Sequence, residues 1–262
     1  MAEVVIVESA EAAGELVAGA IAALVAEKPD AVLGLATGST PLTTWAALAA
    51  QHLDLSRVRG FALDEYVGLP PGHPESYRAV ITREVVEPLG LTPELVQVPG
   101  GAHAGSPDQS FERVGREYEA AIAAAGGVDL QVLGIGRTGH IGFNEPGSSF
   151  ASRTRIKTLT EQTRLDNARF FDSIDDVPMH CVTQGLGTIL EARHLVLLAF
   201  GEAKAEAVAG AVEGSVTASL PGSAVQLHPH VSVIVDGAAA SLLKHSDYYR
   251  YAWEHRFSWE RL

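Results

Sequence analysis

The sequence predicts an α/β fold on three observations. Short apolar runs rich in Val, Ile and Leu recur along the chain, and helical segments separate them. Several of these runs are apolar throughout, as strands buried on both faces of a parallel sheet are. Three of them end in polar turns, at Thr37-Gly38-Ser39-Thr40, at Asp64-Glu65-Tyr66, and at the glycine-rich stretch from Gly134 to Pro146. Open α/β sheets place their sites at such strand ends. Strand–helix alternation with right-handed crossovers then gives a three-layer, Rossmann-like domain, a doubly wound, mostly parallel sheet with helices on both faces.

The elements follow in order. Val4-Val5-Ile6-Val7 is a strand, and the Ala-rich stretch from Ala10 to Ala26 carries Leu16, Ala20, Ala23 and Leu24 at helical spacing. Ala31 to Ala36 is the next strand. Thr40 suits an N-cap and Pro41 the first position of a helix reaching to about His52. Val58 to Leu63 is a strand, and Pro74 to Leu89 is a helix with Tyr77, Val80, Ile81 and Val85 on one stripe. Val96 to Val98 is a short strand. Asp108 to Ala125 is the clearest amphipathic helix, with Phe111, Val114, Tyr118 and Ile122 on one face. Val128 to Ile135 is the central strand. His194 to Phe200 is another, followed by a helix from Glu202 to Glu213. Val231 to Val235 is the last strand, and Ala238 to Lys244 starts a last helix. The aromatic tail, residues 245–262, is expected to pack on the body or on a neighbouring subunit. With no internal repeat and no Pro/Gly-rich linker, residues 1–262 form one domain.

Composition narrows the function. A chain of 262 residues, 47% hydrophobic and 19% charged, is globular and long enough for one large core. A net charge of −13 argues against nucleic acid or an anionic membrane as partner. No apolar run is long enough to span a bilayer. The early acids Glu3, Glu8, Glu11 and Glu15 argue against a secretory signal, and the single Cys181, in an apolar setting, fits a structural thiol in a reducing cytoplasm. Arg153, Arg155, Lys157, Arg164 and Arg169 crowd a window where even scatter would put about one basic residue, which suggests an anion site.

The strand ends carry the chemistry. Thr37, Gly38, Ser39 and Thr40 offer hydroxyls, close backbone approach and a helix N-terminus, a cradle for an oxyanion that any capped helix would share. Asp64 and Glu65 point to opposite sides of an extended chain, so at most one faces the cleft as a general base, and Asp64 sits at its edge. His140 with Glu145 is the strongest pair, a histidine in a glycine turn with a carboxylate to fix its tautomer and support its imidazolium. His228 and His230 lack a third ligand nearby and suit capping or packing. Nothing in the sequence suggests a metal.

Nearly end to end, the chain resembles the glucosamine-6-phosphate deaminase (isomerase) family. The resemblance rests on Ala36-Thr37-Gly38-Ser39-Thr40-Pro41, on Leu63-Asp64-Glu65-Tyr66-Val67-Gly68-Leu69 with His73-Pro74-Glu75-Ser76-Tyr77, and on Gly139-His140-Ile141-Gly142-Phe143-Asn144-Glu145-Pro146. It continues through residues 152–160, Asn167-Ala168-Arg169-Phe170-Phe171, Gly201-Glu202-Ala203-Lys204-Ala205 and Gln226-Leu227-His228-Pro229. It implies a cytoplasmic hydrolase of amino sugar catabolism that turns glucosamine 6-phosphate and water into fructose 6-phosphate and ammonia, with no cofactor. By this resemblance His140 opens the sugar ring, Asp64 moves a proton between carbons 2 and 1, and Glu145 supports His140. Arg169 and Lys204 hold the phosphate with Thr37, Gly38, Ser39 and Thr40. Thr138 stands where much of the family has Asp, so Glu145 becomes the main partner of His140. The resemblance further implies a homo-oligomer, with a hexamer among the options, and an allosteric site for N-acetylglucosamine 6-phosphate at Ser148, Ser149, Arg155, Lys157 and Thr158. The rival readings are a 6-phosphogluconolactonase, which would not need Asp64, and a sugar-phosphate sensor, which would bind without releasing ammonia.

Overall fold

The structure, a computed structural model, describes residues 2–100, 111–257 and 262. The described strands are β1 (Ala2–Val7), β2 (Val32–Leu35), β3 (Arg59–Ala62), β4 (Asp64–Val67), β5 (Val96–Gln97), β6 (Leu130–Gly134), β7 (Arg155–Thr158), β8 (His180–Thr183), β9 (His194–Ala199) and β10 (Val231–Asp236). Seven of them form one sheet in the order β1-β10-β9-β6-β2-β3-β5, with every pairing parallel. The helices are α1 (Ala10–Glu27), α2 (Leu42–Ala49), α3 (Tyr77–Ile81), α4 (Glu87–Leu89), α5 (Phe111–Ala124), α6 (Glu161–Asn167), α7 (Leu186–Ile189), α8 (Ala205–Val212) and α9 (Ser246–Glu254). Every residue of β2 and of β9 is buried, as a strand covered on both faces requires. The predicted doubly wound, mostly parallel α/β fold is therefore the observed one.

The sheet fixes where a site can form. From β2 the chain winds outward through β3 to β5, and from β6 it winds the other way through β9 and β10. β2 and β6 are neighbours, with Leu33 opposite Leu130. Their diverging connections leave a crevice beyond their carboxyl ends, the switch point where ligands bind in such sheets.

A second sheet lies outside the predicted plan. β4, β8 and β7 pair antiparallel in that order, with Asp64 opposite Thr183 and Arg155 also opposite Thr183 from the other side. Asp64-Glu65-Tyr66 is thus the start of a new strand as well as the end of an old one. Tyr66, Phe143, Leu159, Val177 and Cys181 form a separate apolar cluster under this sheet, and Cys181 is buried there as a structural thiol.

Other departures have local causes. The helix predicted from Pro74 begins at Tyr77, where Ser76 caps it by accepting from the Ala79 N–H at 3.2 Å. It then widens into a π-helical turn, Thr82–Val86, before α4. Pro41 occupies the cap of α2 and Thr40 lines the crevice instead of capping; proline's fixed φ and missing N–H suit either position. Residues 238–244 form turns, because Asp236 accepts the N–H groups of Gly201 and Ala239 and folds the chain back; the last helix starts at Ser246. Val114, Tyr118 and Ile122 of α5 are buried as predicted; residues 108–110 and the side chain of Phe111 lie outside the described residues. In the tail, Tyr249 and Trp253 pack on the main core while Tyr248, Tyr251 and Phe257 are exposed; Trp259 lies outside the described residues.

Two glycines of α1 give a test of this packing. A Cβ on Gly14 would lie 2.6 Å from the Thr43 carbonyl of α2, whereas one on Gly19 would meet nothing within 4 Å. Gly14→Ala should cost about 1–3 kcal/mol by overpacking, and Gly19→Ala should stabilise by about 0.5–1 kcal/mol through helix propensity. Urea titration of both variants checks the opposite signs.

Candidate active site

The crevice is a cavity of about 690 Å³ that all three polar strand ends reach. Thr37, Gly38, Ser39 and Thr40 line it from the end of β2, Asp64 from the end of β3, and His140 from the turn after β6. Lys204 enters from the turn after β9, and Arg169 from the turn after α6. Gly38 takes φ +88°, a backbone region that glycine enters without strain, and so keeps the β2 loop low against the crevice.

Asp64 and Glu65 divide as strand alternation demands. Glu65 turns away from the cavity and accepts from the backbone N–H groups of Tyr66 at 2.8 Å, Tyr77 at 2.8 Å and Arg78 at 2.9 Å. It thereby caps the start of α3, whose Tyr77 forms part of the cavity wall. Asp64 faces the cavity while being only 5% exposed. Burial, and then the neighbouring Glu65 charge, push its carboxyl up to about 8, against a smaller opposing effect of the Phe143 N–H. A carboxyl held there is poised to take and return a proton near neutral pH.

His140 is fixed from two sides. Gly139, at φ +78°, lets the turn close through Gly136 N–H to His140 O at 2.9 Å and Gly139 N–H to Gly136 O at 2.9 Å. The imidazole then lies against Gly136, where a Cβ would come within 2.3 Å of Nε2. Nδ1 is 2.9 Å from Thr138 Oγ1, 3.4 Å from Glu145 Oε2 and 3.4 Å from Thr163 Oγ1. Thr138 in turn donates to Glu145 Oε2 at 3.4 Å, so its hydroxyl bridges the pair. Burial alone would raise the Glu145 carboxyl. The His140 and Thr163 hydrogen bonds, the His140 charge and the Thr160 N–H together outweigh it and bring Glu145 down to about 2. An ionised Glu145 only accepts, which puts the histidine proton on Nδ1 and leaves Nε2 as a base.

The cations are fewer than the sequence suggests. Arg153 pairs with Glu119 and Glu191, and Arg164 donates to the carbonyls of Ile174 and Val177. Arg155 donates to Asn144 Oδ1 at 2.8 Å and to Ser148 Oγ at 3.2 Å. The predicted basic cluster is therefore not one anion site: of the five residues, Arg169 alone lines the cavity, while Arg153, Arg155 and Arg164 are bonded to carboxylates, carbonyls and side-chain oxygens elsewhere and Lys157 lies on β7. Lys204 Nζ donates to Ile135 O at 2.7 Å, at the mouth of β6. Arg137, absent from the sequence-based set, also lines the cavity; its place beside the glycine turn was the available signal. Thr160 and Thr163 were missed with α6 itself, although Thr160 is its N-cap. Ser148 is buried and donates to Glu145 O at 2.7 Å, Ser149 is exposed, and Arg155, Lys157 and Thr158 lie on β7; none of these five lines the cavity.

His228 sits between Ala192 O and His230 O, a packing role. Among the described residues no group of three or more His, Cys, Asp or Glu is placed to hold a metal, and no helix is long and apolar enough to cross a membrane.

The chain matches, over residues 7–234, the family model described as glucosamine-6-phosphate isomerases/6-phosphogluconolactonase. It is 59% identical over 268 aligned positions to the glucosamine-6-phosphate deaminase of Bifidobacterium longum (strain NCC 2705), covering 99% of each chain. It is 60% identical to that of Streptomyces avermitilis, covering 98% of this chain and 99% of the relative. A solved structure of a monomeric glucosamine-6-phosphate deaminase superposes with a TM-score of 0.86 at 42% identity, covering 92% of this chain and 99% of that one. The 6-phosphogluconolactonase of Trypanosoma cruzi superposes with a TM-score of 0.75 at 20% identity, covering 93% of this chain and 97% of that one, a likeness of fold.

Asp64 ties stability to pH. Its folded value of about 8 stands above the usual 3.8, so the neutral form favours the folded state at low pH, and that contribution is lost as pH rises toward 8. Asp64→Asn removes the titration. The variant should gain stability relative to the wild type between about pH 5 and pH 9, as read by urea unfolding at both values; a constant difference refutes the buried, raised carboxyl.

Proposed function

The chain belongs to the glucosamine-6-phosphate isomerase/6-phosphogluconolactonase family, and we propose that within it this protein is the deaminase, converting glucosamine 6-phosphate and water to fructose 6-phosphate and ammonia. The observation that carries this reading is the presence of two separate proton-transfer groups on one cavity, Asp64 and His140, each held by different neighbours. Hydrolysis of a lactone needs one base for water; moving a proton between two adjacent carbons needs a second group, and Asp64, facing the cavity with the Phe143 N–H as a weak offset to its burial, is placed to be that group. The deaminase relatives at 57–60% identity support the same choice.

The steps follow from the groups present. Nε2 of His140 takes the proton of the anomeric hydroxyl and returns one to the ring oxygen, opening the pyranose. Glu145, directly and through the Thr138 hydroxyl, supports the imidazolium that forms in between. Asp64 as carboxylate then removes the proton from carbon 2, leaving an enolamine, and delivers it to carbon 1. Water adds to the resulting imine at carbon 2, and ammonia leaves as the ketone forms. By net stoichiometry this is a hydrolytic deamination with an internal aldose–ketose isomerisation, and it calls for no cofactor. Lys204, Arg169 and the Thr37–Thr40 loop bind the phosphate and hold the reacting carbons near Asp64. We assign the activity to amino sugar catabolism in the cytoplasm.

Ammonia and fructose 6-phosphate released from glucosamine 6-phosphate should be equimolar with wild-type protein. Asp64→Asn should lower kcat by about 10²–10⁴-fold, and kcat/KM of the wild type should rise with pH toward about 8 as Asp64 ionises. Binding without ammonia release would favour a sensor; turnover of 6-phosphogluconolactone alone would favour the lactonase.

A further inference from the structure

We propose that Arg137 is a third cation of the phosphate subsite and that Asp166 is its built-in counterion, displaced when the phosphate binds. The identity of the anion rests on the deaminase reading; the subsite itself rests on the placement of four side chains.

Arg137 lies in the turn between β6 and His140 and lines the same cavity as Arg169 and Lys204. Its Nη1 is 3.5 Å from Asp166 Oδ1, with the two side chains 56% and 33% exposed. Asp166 also lines the cavity, accepts from Gln162 Nε2 at 2.8 Å, and belongs to α6, which runs on into the turn that carries Arg169. The groups feel one another through Lys204. Burial chiefly lowers its ammonium, Asp166 opposes that, and Arg169 and Arg137 add to it. Lys204 thus sits among Arg137, Arg169 and Asp166, and Asp166 is the carboxylate that pairs with Arg137 there.

A sugar phosphate near neutral pH carries nearly two negative charges and three acceptor oxygens. It is a better partner for a guanidinium than a half-exposed carboxylate, and it can be bound through two parallel N–H bonds. Asp166 repels the same dianion. Binding therefore requires Arg137 to leave Asp166, and an uncharged sugar cannot drive that exchange. The subsite selects for a phosphorylated ligand by this internal competition as well as by attraction.

The two partners must then act with opposite signs. Arg137→Gln should weaken binding of inorganic phosphate, read by calorimetry, and raise KM for glucosamine 6-phosphate, each by roughly tenfold. Asp166→Asn should tighten both by about two- to fivefold. Both side chains are partly exposed, so neither variant threatens folding. A plain clip between the catalytic turn and α6 would make both variants weaker, and that result overturns the proposal. So does an unchanged Arg137→Gln, or a wild type that does not bind inorganic phosphate. Calorimetry is independent of turnover: opposite shifts without ammonia release would keep the subsite and remove the deaminase reading, and parallel shifts with normal turnover would do the reverse.

Discussion

Leu63 belongs to no strand, yet both sheets depend on the hydrogen bonds of its peptide. Its N–H donates to Leu35 O at 3.2 Å and continues the parallel ladder of β2 and β3; its C=O accepts from Gln184 N–H at 2.7 Å and begins the antiparallel pairing of β4 and β8. A chain that changes sheets in one residue cannot let water in at the crossing without losing both bonds. Asp64 follows at once, and its burial is the result. Tyr118 braces the same place by donating to Ala62 O at 2.6 Å, and Gln184 does so with its side-chain amide at 3.0 Å. The base of the proposed reaction is dry because the architecture turns a corner there.

Three carboxyls show how surroundings set different duties. Glu65 is as buried as Asp64 but accepts three backbone N–H groups, a structural cap. Glu145 is equally enclosed but faces an imidazole and hydroxyls, which keep it ionised. Asp64 has little to offset its desolvation and titrates near neutrality. Side-chain chemistry is nearly the same in all three; the number of donors each meets decides whether it caps, orients or moves a proton.

The parallel sheet was legible in the sequence because strands buried on both faces read as unbroken apolar runs, as at Leu195–Leu198. The site was legible where strand ends carry glycine and polar residues, as at residues 36–41 and 134–146. The small sheet was not. β7 is Arg155-Ile156-Lys157-Thr158, an edge strand whose residues alternate between half-buried and exposed, and its polar composition imitates a surface loop. The same segment made a local excess of arginines look like one anion site, when each arginine answers a different partner that only the tertiary fold brings near. Arg137 escaped notice for the complementary reason: one cation in a turn carries no pattern, and its meaning comes from residues on α6 and after β9.

The cap formed by Glu65 has a consequence for how such a protein can diverge. One carboxylate fastens the first turn of α3, and its charge also helps hold the neighbouring Asp64 in its neutral form. Selection acting on that codon sees both effects at once. A lineage drifting toward a stronger or weaker base cannot reach it through position 65 without loosening the wall that carries Tyr77. The donor across the junction is the Phe143 backbone N–H, whose other acceptor is Thr183 Oγ1 at 3.1 Å, so Thr183 can act on the acid through its hold on that N–H without touching a helix cap. Adjacent positions in the chain are thus coupled, and the freedom to retune the chemistry lies some one hundred and twenty positions away in sequence, at residue 183.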